Sequence, residues 1–424
     1  MWCHTNGIEC QAEGDTVNDQ LRADVVIVGG GTAGCVLAAR LSEDPARSVL
    51  LLEAGPVSLP LPDALLDARR VPGAVGEASW SIPGRLASGR PYAFSRGRVI
   101  GGSSTTNGGY FLHAPRADFE EWSVNAGSAW SWEAVRPRQL ALEAGHGGPV
   151  PVETLPADDP VIAALPGAMP TPSNRRGRTR MNAALTHLTP ALGRPNLRIV
   201  GGVEADAALI RSLDAGEIVF AAGSLRTPRL LRDLGIGGAG VGEGLDDHPQ
   251  LILEVEGWPE LSPDAPTWLG GVVHAVLSDG STAEVLQGFL PGPLCFVSTR
   301  GERGRLGDGV EFDHLATAAA RARLREAVRL AVGLVEGDGR ARVTNVDRGT
   351  LARDSSLDAW IAAHLGTSQH ACGGAAIGDV VDGAGRVIGA ERYRVADTSI
   401  LPSAPRRGPA ATAFLIGELI AAAF

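Results

Sequence analysis

Lysine is absent from the 424-residue sequence, so all 38 basic side chains belong to arginine. Schiff-base catalysis through a lysine amine is therefore excluded. Cysteine is scarce and odd in number, and no pair has zinc-site spacing beside suitable histidines. The five residues are Cys3, Cys10, Cys35, Cys295 and Cys372. The sequence predicts no disulfide framework, no metal site and a reducing, cytoplasmic setting.

Long apolar runs are also missing. No stretch reaches the roughly 20 residues that a helix needs to cross a bilayer. The apolar run 410–424 is shorter and carries Glu418, which favours a buried helix. Residues 1–20 lack the basic start and apolar core of a secretory signal, and we predict a disordered tail over 1–21. These absences indicate a cytoplasmic protein without a transmembrane segment and leave peripheral membrane contact open.

Basic residues are outnumbered by acidic ones, and the formal net charge is −10. Because phosphate contacts need a basic surface, this charge argues against nucleic acid as a partner. The hydrophobic content of 44% and the charged content of 20% are ordinary for a globular protein. A chain of this length can bury a large core, and we expect two or three domains.

An apolar strand that ends at Val28 runs straight into a glycine-rich turn, residues 29–34, with G-x-G-x-x-G spacing. Gly29 permits the tight turn, and Gly31 lets backbone amides approach a pyrophosphate. Gly34 lets the following helix pack closely on the strand, and the N-terminus of that helix attracts phosphate. This context predicts a dinucleotide-binding site.

An acidic residue supports this prediction. A second strand, residues 48–52, ends at Glu53, nineteen residues past Gly34. Its carboxylate can accept hydrogen bonds from both ribose hydroxyls of an adenosine. A glycine-rich turn without a ligand would not explain this acid. Residues 96–110 are dense in small side chains, so their backbone can lie against a flat ligand.

In the rest of the chain, the sequence pattern predicts secondary structure only coarsely. Residues 56–95 are rich in proline, glycine and alanine, and we predict irregular loops there. Alternating segments within 248–360 indicate an antiparallel sheet, and residues 317–334 have the apolar spacing of an amphipathic helix. A strand at 393–395 precedes the closing helix.

Four ordered blocks together resemble the glucose-methanol-choline (GMC) oxidoreductases, a family of FAD enzymes. They are residues 97–107, 223–231 and 242–249 and a C-terminal block made of 370–374 and 395–402. The segment Pro-Arg-Arg-Gly-Pro at 405–409 is most similar to the branch of this family associated with the peptide-derived redox cofactor mycofactocin.

The resemblance implies an α/β fold (α+β overall). It implies a Rossmann-like FAD-binding domain and a smaller substrate or cap domain whose antiparallel sheet lies over the flavin. We expect the discontinuous FAD-binding domain to contain residues 22–125, 196–247 and 360–424. The substrate domain is expected to contain residues 126–195 and 248–359.

The fingerprint and the resemblance together give the candidate FAD-binding residues. By position, Thr32 and Ala33 would touch the pyrophosphate, Ala205 would lie by the adenine and Asp397 near the ribityl-phosphate region. The full set is Gly29, Gly31, Thr32, Ala33, Gly34, Glu53, Gly101, Gly102, Ser103, Asn107, Gly108, Gly109, Ala205, Asp397, Ala410 and Ala411. Phe94 occupies the position at which some relatives carry a histidine bonded to the flavin, so we predict non-covalent FAD.

His370 is the candidate catalytic base. Removing the hydroxyl proton of an alcohol makes hydride departure easier, and an imidazole has a suitable pKa. The family pairs this histidine with a second histidine or an asparagine, but that position is Ala410 here. Local substitutes would be Arg406, Arg407 or Thr412. His248 is expected to be structural, because its family counterpart lies at a domain junction.

The resemblance implies an FAD-dependent alcohol dehydrogenase or oxidase that acts on a small molecule. In the mycofactocin-associated branch, the substrate would be mycofactocinol and the electron acceptor would belong to a respiratory chain. Two alternatives stay open. The first is a flavin lyase similar to hydroxynitrile lyases, and the second is a flavin-binding scaffold without catalysis, which the alanine at 410 would suit.

Overall fold

The computed structural model describes residues 8–10, 21–71, 76–87 and 89–424. Of the predicted tail over 1–21, Ile8–Cys10 and Leu21 are described, and the remainder lies outside the described residues. Ile8–Cys10 is a short strand rather than part of a tail, because it pairs in parallel with residues 199–201.

The strands among the described residues are numbered in chain order. They are β1 (Ile8–Cys10), β2 (Ala23–Val28), β3 (Val49–Leu52), β4 (Ser79–Arg85), β5 (Pro91–Gly97), β6 (Met169–Pro170), β7 (Arg175–Arg176), β8 (Thr179–Arg180), β9 (Leu197–Gly201), β10 (Ala215–Phe220), β11 (Pro249–Glu256), β12 (Leu269–Val276), β13 (Thr282–Phe289), β14 (Pro293–Thr299), β15 (Arg305–Leu306), β16 (Val310–Glu311), β17 (Arg342–Val343), β18 (Gly366–Thr367) and β19 (Tyr393–Val395).

The α-helices of the described ranges are numbered in the same way. They are α1 (Thr32–Leu41), α2 (Asp63–Leu66), α3 (Ser103–Thr106), α4 (Arg116–Ala126), α5 (Trp132–Leu142), α6 (Pro160–Ala163), α7 (Thr189–Ala191), α8 (Ala207–Ser212), α9 (Thr227–Leu234), α10 (Ala318–Glu336), α11 (Arg348–Ala352), α12 (Asp354–His364) and α13 (Ala410–Ala421). Turns of 3-10 helix lie at Gly76–Ala78, Ser128–Trp130, Ala144–His146 and Thr398–Ile400, and a π-helical turn lies at Ala184–Leu188.

A parallel sheet of six strands forms the nucleotide domain, in the order β1-β9-β3-β2-β10-β19. Strands β2 and β3 are almost continuous runs of buried valine, leucine and isoleucine, as expected where helices cover both faces of a sheet. Val28 lies opposite Leu52 on one side and Phe220 on the other. The carboxyl ends of the three central strands therefore meet at one edge, where ligands bind in open α/β sheets.

Helix α1 follows β2 directly and packs against the closing helix α13. A Cβ atom at Gly417 would lie 2.7 Å from the Cβ atom of Val36, so a glycine lets the two helices approach closely. Arg40 of α1 also donates to the Glu418 carboxylate of α13, with Nε 2.9 Å from Oε2. Helix α13 thus covers α1, the first helix of the described residues.

An antiparallel sheet forms the second layer of the molecule, in the order β17-β11-β14-β13-β12-β6, with β18 also paired to β11. Helix α10 packs the buried side chains of Leu324, Val328 and Val335 against the core of this sheet. Thr317 caps α10 by accepting a hydrogen bond from the Ala320 N–H. Both the sheet and the helix predicted for this region are present.

The prediction of irregular loops over 56–95 is wrong for part of that stretch. Strands β4 and β5 form an antiparallel hairpin in which Ile82 lies opposite Phe94. Strand β4 also pairs in parallel with β16, more than 200 residues further along the chain. Local composition could not show this pairing, because the partner strand is distant in sequence.

The boundary of the substrate domain also differs from the prediction. Trp130, Val135 and Leu142 lie in the core around the parallel sheet, although 126–195 was expected in the substrate domain. The Trp130 Nε1–H donates to the Gly383 carbonyl oxygen at 2.8 Å. Within this stretch, Leu165 joins the second core and β6 joins the antiparallel sheet.

Gly34 offers a test of how the fingerprint packs. A Cβ atom at Gly34 would lie 2.0 Å from the Gly29 carbonyl oxygen, whereas one at Gly333 in α10 would meet nothing within 4 Å. We expect Gly34→Ala to lower the free energy of unfolding by about 1–3 kcal/mol, measured by denaturant titration. The control Gly333→Ala is expected to be neutral or stabilising, by up to about 1 kcal/mol. Equal stabilities of the two variants would contradict this packing.

Candidate active site

A cavity of about 1780 Å³, counted with its open mouth, lies at the carboxyl edge of the parallel sheet. We call it the long cavity. It brings together thirteen of the residues that the sequence singled out. They are Gly29, Gly31, Thr32, Ala33, Glu53, Gly102, Ser103, Asn107, Gly108, Ala205, Asp397, Ala410 and the candidate base His370.

Four candidate residues do not border the long cavity. Gly34 faces the β2–α1 turn, and Ala411 is fully buried in α13. A Cβ atom at Gly101 would lie 2.5 Å from the Thr105 hydroxyl oxygen, and one at Gly109 would lie 3.0 Å from the Ser173 hydroxyl oxygen. These four positions support the wall from behind.

Bare backbone forms part of the wall of the long cavity. A Cβ atom at Gly102 would lie 2.6 Å from the Cα atom of Gly31, so the two glycine segments touch without side chains between them. The Gly101 N–H donates to the Gly30 carbonyl oxygen at 2.7 Å and fixes this contact. Thr32 begins α1, whose first N–H groups have no partner within the helix. An anionic diphosphate fits such a cradle.

Glu53 is held rigidly at the wall. Its Oε2 accepts from the Gly30 N–H and its Oε1 from the Gly55 N–H, both at 2.8 Å. Burial raises the pKa of this carboxyl, while the two backbone N–H groups and the positive charges of Arg98 and Arg226 act in the opposite direction. Each oxygen can still accept another hydrogen bond, as recognition of a ribose diol requires.

Asp397 organises the opposite side of the long cavity. Its Oδ2 accepts from the Gly223 N–H at 2.9 Å and from the Thr227 hydroxyl at 2.6 Å, and its Oδ1 accepts from the Ser399 N–H at 2.8 Å. Burial raises the pKa of Asp397, whereas these hydrogen bonds act to lower it. The carboxylate thereby joins β10, α9 and the segment after β19.

His370 also borders the long cavity. Its backbone N–H donates to Asp247 Oδ1 at 2.8 Å, and its ring Nδ1 lies 3.0 Å from the ring Nδ1 of His248. The preceding residue, Gln369, has a left-handed backbone with φ of 62°. Burial lowers the pKa of His370 well below its ordinary value, and the charges of His248 and Arg96 lower it further. This shift favours the neutral ring, in which one nitrogen carries a lone pair that can accept a proton.

The local substitutes for Ala410 do not reach His370. Arg406 forms an ion pair with Asp118, and Arg407 donates to the His113 carbonyl oxygen at 3.3 Å. The Thr412 hydroxyl is buried without a hydrogen-bond partner in the described part of the chain. His248, expected to be structural, is the residue that contacts the candidate base.

A second cavity of about 1260 Å³, counted with its open side, lies beyond the histidine pair. We call it the polar cavity, because its wall consists mostly of charged and hydroxyl-bearing residues such as Glu284, Arg300 and Arg407. Gly408 borders both cavities. A Cβ atom there would lie 3.0 Å from the Tyr110 ring and 3.2 Å from the His370 Nε2 atom, so only glycine leaves that nitrogen free.

Phe94 packs among other aromatic rings, away from the long cavity. Phe94 is fully buried, 5.1 Å from Tyr92 and 6.0 Å from Phe312 between ring centroids, and it does not border the long cavity.

No group of three or more histidine, cysteine, aspartate or glutamate side chains that could hold a metal ion occurs among the described residues. No helix in the described ranges is long and apolar enough to cross a membrane.

The fold and the cavity define a Rossmann-like domain under an antiparallel sheet, with a site that fits a dinucleotide. Family models described as GMC oxidoreductase match residues 23–169 and 296–417. The chain is 32% identical over 501 aligned residues to an uncharacterized GMC-type oxidoreductase of Rhodococcus erythropolis, covering 93% of this chain and 97% of the relative. The chain therefore belongs to the GMC oxidoreductase family.

Other relatives agree with this family. The oxygen-dependent choline dehydrogenase of Brucella canis is 26% identical over 522 aligned residues, covering 94% of each chain. The pyridoxine 4-oxidase of Mesorbium loti superposes with a TM-score of 0.81 and 25% identity, over 95% of this chain and 99% of that one. A formate oxidase variant of Aspergillus oryzae superposes with a TM-score of 0.79 at 19% identity, over 95% and 98%, and supports the fold alone.

These findings confirm the predicted family and fold class, and they imply FAD as the cofactor. The two sequence alignments span 501 and 522 positions, more than the 424 residues of this chain. The relatives therefore carry internal segments that this chain lacks, although nearly all of their length is matched.

Glu53 provides a test of the cofactor site. In Glu53→Gln an amide NH2 replaces one acceptor oxygen, so one backbone N–H loses its partner. We expect FAD affinity to fall about 10- to 100-fold, measured by flavin fluorescence titration of the apoprotein. Glu204→Gln is the matched control, because Glu204 borders the same cavity but forms an exposed ion pair with Arg226. Equal affinities of the two variants would contradict the role of Glu53.

Proposed function

We propose that this chain oxidises an alcohol by hydride transfer to non-covalently bound FAD, with His370 as the base. The single observation that carries this proposal is that His370 borders the cavity whose other parts fit FAD, with a ring Nε2 atom that Gly408 leaves free. Non-covalent binding stays a prediction from the sequence, because Phe94 does not border the long cavity and its position therefore does not test it. Choline and pyridoxine, named in two relatives, are both alcohols.

Different residues bind the cofactor and accept the proton. The chemistry that bound FAD would supply is that of an acceptor for the hydride of the carbinol carbon. Glu53 orients the adenosine ribose, and the N-terminus of α1 binds the diphosphate. The Nε2 atom of His370, which Gly408 leaves free, accepts the hydroxyl proton, so that negative charge develops on the oxygen as the C–H bond breaks.

The substrate of first choice is mycofactocinol, with a respiratory-chain acceptor, because residues 405–409 resemble that branch of the family. The protein would act in the cytoplasm, alone or in peripheral contact with a membrane. A panel of alcohols that includes mycofactocinol, assayed with oxygen, quinones and protein acceptors, tests this assignment. Turnover of a simple alcohol at a higher kcat/KM than mycofactocinol would reject the branch and keep the reaction type.

Anaerobic addition of substrate distinguishes the proposed reaction from the two alternatives. A substrate of the oxidoreductase bleaches the flavin absorbance, whereas a lyase converts its substrate without bleaching. A scaffold does neither. The fold alone does not separate these activities, since one fold can carry several.

Removing the proposed base tests its role. We expect His370→Ala to bind FAD normally but to slow anaerobic flavin reduction by about 10²- to 10⁴-fold, measured by stopped-flow absorbance. His364→Ala, on the exposed end of α12, is the control and should reduce its flavin at the wild-type rate. Wild-type reduction rates in His370→Ala would show that another group is the base.

The pH dependence follows from the same site. Because the pKa of His370 lies well below the ordinary value of 6.5, the ring stays unprotonated at and above that pH. The rate constant for flavin reduction is expected to be constant from pH 6.5 upward and to fall only at lower pH. If the rate constant instead falls as the pH is lowered, with an apparent pKa of 6.5 or higher, this assignment is contradicted.

A further inference from the structure

His248 and His370 face each other through the same ring atom. Their Nδ1 atoms are 3.0 Å apart, and the two rings are nearly perpendicular, at 89°. Only one proton fits between two nitrogens at this distance, so one Nδ1 donates and the other accepts. If His370 takes a substrate proton at Nε2, its own Nδ1 must carry the shared proton. His248 then accepts at Nδ1 and carries its proton at Nε2.

Each of the two histidines borders a different cavity. His370 borders the long cavity and not the polar one, and His248 borders the polar cavity and not the long one. In the described part of the structure, no protein group bonds the Nε2 atom of either ring, and neither atom is sealed from solvent like the Nε2 of His314. The pair therefore lies between two neighbouring cavities, which meet at Gly408, and joins them through one hydrogen bond.

Backbone hydrogen bonds hold both histidines in place. Asp247 Oδ1 accepts from the His248 N–H and from the His370 N–H, both at 2.8 Å. Asp247 Oδ2 accepts from the Thr367 hydroxyl at 2.5 Å. The pairing of Pro249 with Thr367 continues this alignment into the antiparallel sheet. The short distance between the rings is thus built into the backbone.

We propose that His248 and His370 form a proton relay from the long cavity to the polar cavity. The relay rests on the proposed function, because His370 must first receive a proton from the substrate. His248 is a positioning and relay residue: it acts on the reaction through His370.

Every proton transfer in the relay breaks one bond to hydrogen and forms another. The alcohol O–H bond breaks and an N–H bond forms at His370 Nε2. The N–H bond at His370 Nδ1 breaks as one forms at His248 Nδ1, and the N–H bond at His248 Nε2 breaks as its proton passes to water in the polar cavity. The hydride leaves the carbinol carbon separately for oxidised FAD. A reverse transfer, when an acceptor takes the electrons and a proton, resets both rings.

Other titratable and charged groups surround the pair. Asp247 lies beneath both backbones, and Arg96, whose Nη1 donates to Gln369 Oε1 at 2.8 Å, approaches His370 from β5. Burial and the charge of His248 hold the pKa of His314 at about 3, so this neighbour stays neutral. Cys372 donates to the His370 carbonyl oxygen, and burial holds the pKa of its thiol well above the ordinary value.

Two substitutions of His248 separate positioning from relay. In His248→Asn the amide oxygen can still accept the His370 Nδ1–H, but no second ring nitrogen faces the polar cavity. In His248→Phe both functions are lost. We monitor flavin bleaching and proton release together, by anaerobic stopped flow in weak buffer with a pH indicator, using the FAD-loaded enzyme. His364→Asn is the control for a histidine substitution outside the pair.

The wild type and the control should release the proton at the rate of bleaching. His248→Asn is expected to bleach within about threefold of the wild type but to release its proton at least tenfold later, with added imidazole restoring the rate of release. His248→Phe is expected to bleach about 10- to 100-fold more slowly. Wild-type proton release in His248→Asn, or wild-type bleaching in His248→Phe, would overturn the relay.

A second readout needs no turnover. Nitrogen NMR of the FAD-loaded protein with ¹⁵N-labelled histidine reports which ring nitrogens carry protons. We expect His370 as the Nδ1–H form and His248 as the Nε2–H form, with the His370 form lost in His248→Phe. The opposite arrangement would overturn the relay. If the expected forms are present but no alcohol bleaches the flavin, the proposed function fails while the hydrogen-bonded pair remains.

Discussion

The buried carboxylate of Asp247 is the constraint on which the geometry of His370 depends. It accepts two backbone N–H groups from segments 122 residues apart and a hydroxyl from Thr367. Burial raises the pKa of Asp247, and these bonds act against that effect. A buried carboxylate without such partners would be strongly unfavourable. Because the partners belong to the ends of β11 and β18, the antiparallel sheet and the base are fixed to each other.

The sequence revealed the parts of the site that depend on local spacing. Gly29, Gly31 and Glu53 belong to one strand-turn-helix-strand unit, and the structure places all three at the long cavity. His370 was identified through its surrounding block and also lies there. Their catalytic and binding roles remain predictions, whereas the family and fold class are confirmed.

The remaining features come from distant pairings. His248 meets His370 only because β11 pairs with β18, and the β4–β5 hairpin pairs with β16. Trp130 joins the nucleotide domain through a bond to Gly383. No periodicity or short motif encodes such contacts, because each depends on where a remote segment lies after folding. This explains why the hairpin, the domain boundary and the partner of His370 differ from the predictions.

The packing of α13 on α1 has a consequence for biosynthesis. Strand β2 and helix α1 emerge early from the ribosome, but Gly417 meets Val36 only after α13 has also been synthesised. Until then the surface of α1 that α13 covers lacks its partner, and nascent chains with such unfinished apolar surfaces are prone to aggregate. We therefore expect the growing chain to depend on chaperones and to capture its prosthetic group after translation rather than during it.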